Sequence, residues 1–191
     1  MLLVVRHGRT RANASGLLLG RADPDLDEHG ERQAEAIAAV LPPLDRVVAS
    51  PLRRAQQTAA TFGVPVETDD RWIELDYGDW DGEPIAAVPP DTWAQWRHDL
   101  DLRPPGGETL VELGRRVRAA CDDLVGAARD GNVAVVTHVS PVKAAVAWAL
   151  GVGDEVTWRM FVGTASITRI EVRDDRPVLT SFDEVGHLPH P

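Results

Sequence analysis

Four apolar residues, Leu2-Leu3-Val4-Val5, run without interruption into Arg6-His7-Gly8. A run of that length, β-branched at its end and closed by glycine, has the pattern of a strand covered on both faces, as in a parallel sheet. The pattern returns in Arg46-Val47-Val48-Ala49, before Ser50-Pro51-Leu52-Arg53-Arg54, and in Asn132-Val133-Ala134-Val135-Val136-Thr137, before His138-Val139-Ser140-Pro141. Val66-Glu67-Thr68 predicts a short further strand. Ser166 to Val172 and Pro177 to Phe182, separated by Arg173-Asp174-Asp175-Arg176, predict a terminal hairpin.

Between these runs the period changes. Asp27 is a natural N-cap for a helix whose apolar positions Ala34, Ile37, Ala38 and Leu41 keep helical spacing, and Pro42-Pro43 stops it. Leu52, Ala55, Ala59 and Phe62 mark the buried face of a helix from Pro51 to about Phe62. A capping box, Thr109-Leu110-Val111-Glu112, opens a long helix to about Ala128. Another helix is expected from Pro141 to Leu150. Trp93 and Trp96 lie at helical spacing between two proline clusters, so residues 84–107 read as an inserted lid or shoulder, or as a helix burying two indoles. Residues 11–26 and 72–82 have neither period and read as loops. Strands alternating with helices predict an α/β fold in three layers, α/β/α, with a mostly parallel central sheet.

The length of 191 residues, 43% of them apolar, suits one domain over 1–191 rather than two independent cores. A formal charge of -10 argues against a nucleic-acid or anionic-membrane partner, although it leaves room for a small cationic pocket. The single Cys121 excludes an intramolecular disulfide and sits on the apolar stripe of the long helix. No apolar run approaches membrane-spanning length and the first residues read as strand rather than signal sequence, so a cytoplasmic protein is expected. No two histidines have a ligand-like helical spacing, and no metal site is expected.

Three strands therefore end in Arg6 and His7, in Arg53 and Arg54, and in His138. In open α/β sheets, ligands sit beyond the carboxyl ends of the strands. Ser50 and Ser140 read as N-caps, with Pro51 and Pro141 as first helical residues, which would aim free N–H groups at the same place. One such strand end is ordinarily just solvated; three together describe a site for a dianion. Asn13 and Arg21 are the best-placed polar groups of the first loop, either to bind a ligand or to tie the loop down. Glu74, Asp76 and Asp79 lie among aromatic residues in the second loop, where a partly desolvated carboxyl group can act as an acid.

In order and spacing, these residues resemble branch 1 of the histidine phosphatase superfamily, the phosphoglycerate-mutase-like type, over nearly the whole chain. The likeness is carried by Arg6-His7-Gly8 with Thr10 and Asn13, by Ser50-Pro51-Leu52-Arg53-Arg54-Ala55 with Thr58-Ala59, by Glu74 before Gly78-Asp79-Trp80-Asp81-Gly82, by Pro105-Gly106-Gly107-Glu108 and by His138. It implies a phosphoglycerate-mutase-like fold and a histidine acid phosphatase-like phosphoric monoester hydrolase that needs no cofactor or metal. His7 would be the nucleophile that carries a phosphohistidine. Arg6, Arg54 and His138 would bind the phosphoryl oxygens, Glu74 would serve as acid and then base, and Asn13, Arg21, Thr10 and Ser140 would meet phosphate or substrate. Two positions depart from the pattern: Val139-Ser140 follows His138 where a glycine is common, and Arg9 stands where Glu or Gln is frequent.

The expected partner is a small phosphate ester, with monomer or homodimer both open. A cofactor-dependent mutase and a non-catalytic phospho-ligand binder are the competing readings. The short end Gly186 to Pro191 is expected to cover little of the site, which favours hydrolysis over transfer.

Overall fold

The computed structural model describes residues 1–188. In chain order the elements are β1 (Leu2–Arg6), α1 (Arg11–Ala14), α2 (Glu28–Val40), β2 (Arg46–Ala49), α3 (Arg53–Ala60), β3 (Val66–Thr68), α4 (Pro90–His98), α5 (Leu110–Asp130), β4 (Val133–Thr137), α6 (Val139–Leu150), β5 (Ile167–Arg173) and β6 (Arg176–Glu184). Short 3-10 turns occupy Asp70–Trp72, Gly78–Trp80, Ile85–Ala87 and Asp154–Arg159. The six strands form one mixed sheet in the order β3-β2-β4-β1-β5-β6. β3, β2, β4 and β1 are mutually parallel, whereas β5 runs antiparallel to β1 and β6 antiparallel to β5.

The uninterrupted apolar runs are explained by helices on both faces. Leu2, Val4, Val133 and Val135 pack with Leu113, Val117, Cys121 and Leu124 of α5 and with Val142 and Ala145 of α6. The alternate residues Leu3, Val5, Ala134 and Val136 pack with Ile37 of α2 and with Ala55 and Ala59 of α3. Polar residues therefore enter these strands only where the chain leaves the sheet. Since β4 lies between β2 and β1, the carboxyl ends of all three open onto one crevice.

Helix starts differ from expectation at two places that matter. α3 begins at Arg53 after an uncapped Leu52, and α6 begins at Val139 with His138 itself at the N-cap position. Ser50 and Ser140 are thus not the N-cap residues: the Ser50 hydroxyl meets His138 and accepts the Leu52 N–H at 3.3 Å, and Ser140 lies inside α6, where its N–H donates to Glu74. The first loop contains one helical turn, α1, closed by a capping box between Thr10 and Asn13. Within residues 84–107, α4 buries Trp96 against Trp93, whose ring stacks on it at 5.6 Å, and against Trp80 and Trp158. Of the chain end, Pro189, His190 and Pro191 lie outside the described residues, among which no helix is long and apolar enough to cross a membrane.

Candidate active site

His7 is the first residue past β1, held by its own backbone: its N–H donates to the Thr137 carbonyl and its carbonyl accepts from Ala165, both at 3.0 Å. The ring is 2% exposed. Its Nδ1 lies 2.6 Å from the Gly8 carbonyl. A carbonyl only accepts, so Nδ1 carries the proton and Nε2 keeps its lone pair. The Arg54 Nε–H donates to that Nε2 at 3.2 Å, consistent with the same tautomer. Burial, reinforced by the Arg54 and Arg6 charges, holds His7 well below the ordinary imidazole pKa, outweighing the Gly8 hydrogen bond. His7 is therefore neutral at pH 7. Gly8 is required by close approach, since a Cβ there would come within 2.4 Å of the Gly30 carbonyl oxygen at the start of α2.

Arg54 is fully buried, and its Nη1 and Nη2 donate to the carbonyls of Ala22 and Gly20 at 2.7 and 2.9 Å. Those two residues are in turn held by Asp81, whose carboxylate oxygens accept from the N–H groups of Gly20 (2.8 Å) and Ala22 (2.7 Å). Burial brings the Arg54 pKa down to about 10, which leaves it cationic at neutral pH. Arg53 instead turns outward to Asp25, so the structure separates the two adjacent arginines that the motif left side by side. Arg6 donates from Nη1 to the Val162 carbonyl at 2.7 Å, while its buried Nε has no protein partner.

His138 stands edge-on to His7, with ring centroids 5.0 Å apart. Its Nε2 meets the Ser50 hydroxyl at 2.7 Å and its buried Nδ1 has no protein partner. Burial first, then the Arg54, His7 and Arg6 charges, depresses its pKa well below the ordinary value. Ser50 is released from the expected capping role because β2 ends next to β4 and this imidazole.

Among Glu74, Asp76 and Asp79, Glu74 is the one that the fold brings into the cavity of His7. Its Oε1 accepts from Leu75 (2.8 Å) and Ser140 (3.1 Å) and its Oε2 from Val139 (3.0 Å), so it satisfies two of the free N–H groups in the first turn of α6. The segment that carries it is pinned from two sides. Arg116 of α5 donates to the carbonyls of Arg71 (2.6 Å) and Glu74 (3.2 Å), and the Thr137 hydroxyl donates to the Trp72 carbonyl. Asp76 accepts from Gly78 within its own turn, and Asp79 is exposed.

Arg6, His7 and Glu74 line one cavity of about 430 Å³, together with Asn13, Tyr77 and Thr164 and with the apolar Leu17, Leu18, Leu19, Ile85, Val139 and Phe161. Asn13 Oδ1 is taken by the Thr10 N–H (3.1 Å) and hydroxyl (2.9 Å), which leaves its Nδ2 donors for the cavity. Thr10 is fully buried and caps α1. Arg21 reaches Glu108 at 3.5 Å and does not line this cavity. Ser140 lines a neighbouring cavity of about 180 Å³ walled by Tyr77, Trp93, Trp96 and Lys143. Tyr77 belongs to the aromatic and acidic loop of the sequence, whereas Ile85 and Phe161 carry no motif that marks them there. Among the described residues no three His, Cys, Asp or Glu side chains are placed to share a metal ion.

The family model for the histidine phosphatase superfamily (branch 1) matches residues 2–185. The chain belongs to this superfamily. It is 35% identical to a bifunctional protein of Mycobacterium tuberculosis over 98% of its own residues, and spans 54%, about half, of that relative's length. It is also 31% identical to phosphoserine phosphatase 1 of Hydrogenobacter thermophilus, over 98% of this chain and 93% of that one. A solved mycobacterial glucosyl-3-phosphoglycerate phosphatase, in complex with VO3, superposes with a TM-score of 0.87 at 31% identity, covering 95% of this chain and 98% of that one. The phosphoglycerate-mutase-like fold follows from these likenesses. Both departures of this superfamily member are absorbed locally: Arg9 pairs with Asp27 at 2.9 Å, and the backbone of Val139 and Ser140 serves Glu74.

Proposed function

We propose that this chain is a phosphomonoesterase acting on small phosphorylated metabolites through a phosphohistidine on His7. The observation that carries the reading is the His7 Nε2 lone pair, fixed by the Gly8 carbonyl on the opposite nitrogen, in a cavity shared with Glu74 and flanked by half-buried Arg6 and buried Arg54. Nε2 attacks phosphorus in line with the ester oxygen. As the N–P bond forms the P–O bond breaks, and the Glu74 carboxyl group gives its proton to the departing alcohol. Arg6 through its unpaired Nε, Arg54 and Asn13 donate to the phosphoryl oxygens, and neutral His138 adds a donor without a full charge. A water that gives a proton to the Glu74 carboxylate then attacks phosphorus, the N–P bond breaks, and inorganic phosphate leaves with His7 neutral again.

The relatives named as phosphatases support hydrolysis as the outcome. Acid quenching destroys a phosphoramidate whereas alkali preserves it, so p-nitrophenyl phosphate turnover quenched in base should leave phosphate on a peptide containing His7. His7→Ala should lose both label and activity. Label that persists in this variant, or turnover that survives it, would overturn the assignment.

A further inference from the structure

We propose that the ester this site selects has an uncharged alcohol part with an apolar or aromatic group, and that Phe161 and Ile85 choose it. The inference rests on the phosphomonoesterase reading and adds the leaving group to it. Phe161 is 77% and Ile85 49% exposed, and both lie on the wall of the cavity that holds His7. Leu17, Leu19 and Val139 complete an apolar lining around the polar floor. Exposed apolar side chains gathered at one concave site mark the surface a ligand covers, whereas the same residues scattered singly would mean nothing.

The charges point the same way. Arg6 and Glu74 are the only charged side chains on this wall among the described residues, and both serve the phosphoryl transfer. Three arginines that sequence places beside the motifs are matched by an acid, Arg9 by Asp27, Arg21 by Glu108 and Arg53 by Asp25, and Arg11 lines a separate depression with Arg9 and Asp27. The single lysine, Lys143, lines the neighbouring aromatic cavity instead. A carboxylate on the alcohol part would be stripped of water against Phe161, Ile85 and Leu17 with no cation to receive it, which is costly. An apolar ring would cover those same side chains. Asn13 Nδ2, Thr164 and the Tyr77 phenol can still receive a hydroxyl or carbonyl, so neutral polar groups are compatible.

Binding of non-hydrolysable phosphonates tests this without relying on turnover. By titration calorimetry, 3-phenylpropylphosphonate should bind the full chain at least about tenfold more tightly than 2-amino-4-phosphonobutyrate, the isostere of phosphoserine, with ethylphosphonate between them. Phe161→Ala should collapse the phenylpropyl-to-ethyl ratio by roughly five- to tenfold, and Phe161→Arg should invert the preference towards the carboxylate. Because Phe161 is exposed, neither change threatens the core. Equal or tighter binding of the carboxylate ligand by the unaltered chain, or a ratio untouched by Phe161→Ala, overturns the proposal. Apolar preference without any phosphohistidine would defeat the His7 mechanism while the preference of the cavity stood; phosphohistidine without the preference would overturn this proposal alone.

Discussion

Glu74→Gln separates catalysis from structure at one atom. The carboxylate accepts three backbone N–H groups, at 2.8, 3.0 and 3.1 Å. A glutamine that keeps its oxygen in the Oε1 position retains Leu75 and Ser140, but it turns an NH2 towards the Val139 N–H. One donor is then unsatisfied, at about 1–3 kcal/mol. For a chain of 191 residues a loss of that order lowers Tm by roughly 2–12 °C, so the protein should still be folded at 25 °C. The chemical effect is of another scale. Without a proton donor, kcat/KM for an alkyl phosphate should fall about 10²- to 10⁴-fold. For p-nitrophenyl phosphate, whose leaving phenolate needs little protonation, it should fall less than about tenfold. The comparison must be made on kcat/KM, which ends at release of the alcohol, because the later attack of water also needs Glu74 and should appear as a burst of nitrophenolate followed by a slow phase. Equal losses in kcat/KM for the two substrates would refute the acid role and leave Glu74 as a brace for α6.

Three other outcomes follow from the same geometry. Asp81→Ala removes the acceptor for Gly20 and Ala22, whose carbonyls hold Arg54, and should lower kcat about 10²-fold through displacement of that guanidinium, with partial rescue by Asp81→Asn; an unchanged kcat would break the proposed chain of support. His138 is neutral when folded and takes a proton when unfolded below about pH 6.5, so its share of stability is present above that pH and lost on acidification; between pH 7 and 5 it should account for about 2 kcal/mol in urea titrations, absent in His138→Gln, and an identical pH dependence in that variant would contradict the burial argument. In the proposed mechanism Arg6, Arg54 and Asn13 meet the phosphoryl charge, so chelation with EDTA should leave turnover unchanged, and a loss restored by added magnesium would count against it.

The sequence by itself determined the parts of this protein that depend on short stretches of chain. Leu2–Val5, Val47–Ala49 and Val133–Val136 read as doubly covered strands, because no polar residue interrupts them and both faces had to find apolar cover. Asp27 and the Thr109–Glu112 box marked helix starts, since a cap is a contact across three residues. Arg6-His7-Gly8 and Arg54-Ala55 marked His7 and Arg54, which the structure brings within 3.2 Å, because their spacing is itself the signal. Tertiary structure decided whatever depended on residues far apart in the chain. Ser50 looked like a cap and became the partner of His138, 88 residues away, because β2 and β4 are neighbours. Among the acids of the second loop, only Glu74 could reach α6, since Arg116 and Thr137 hold its segment there. Phe161, Ile85 and Leu17 belong to three separate segments and carry no shared pattern, so the apolar wall of the site exists only once the sheet has gathered them.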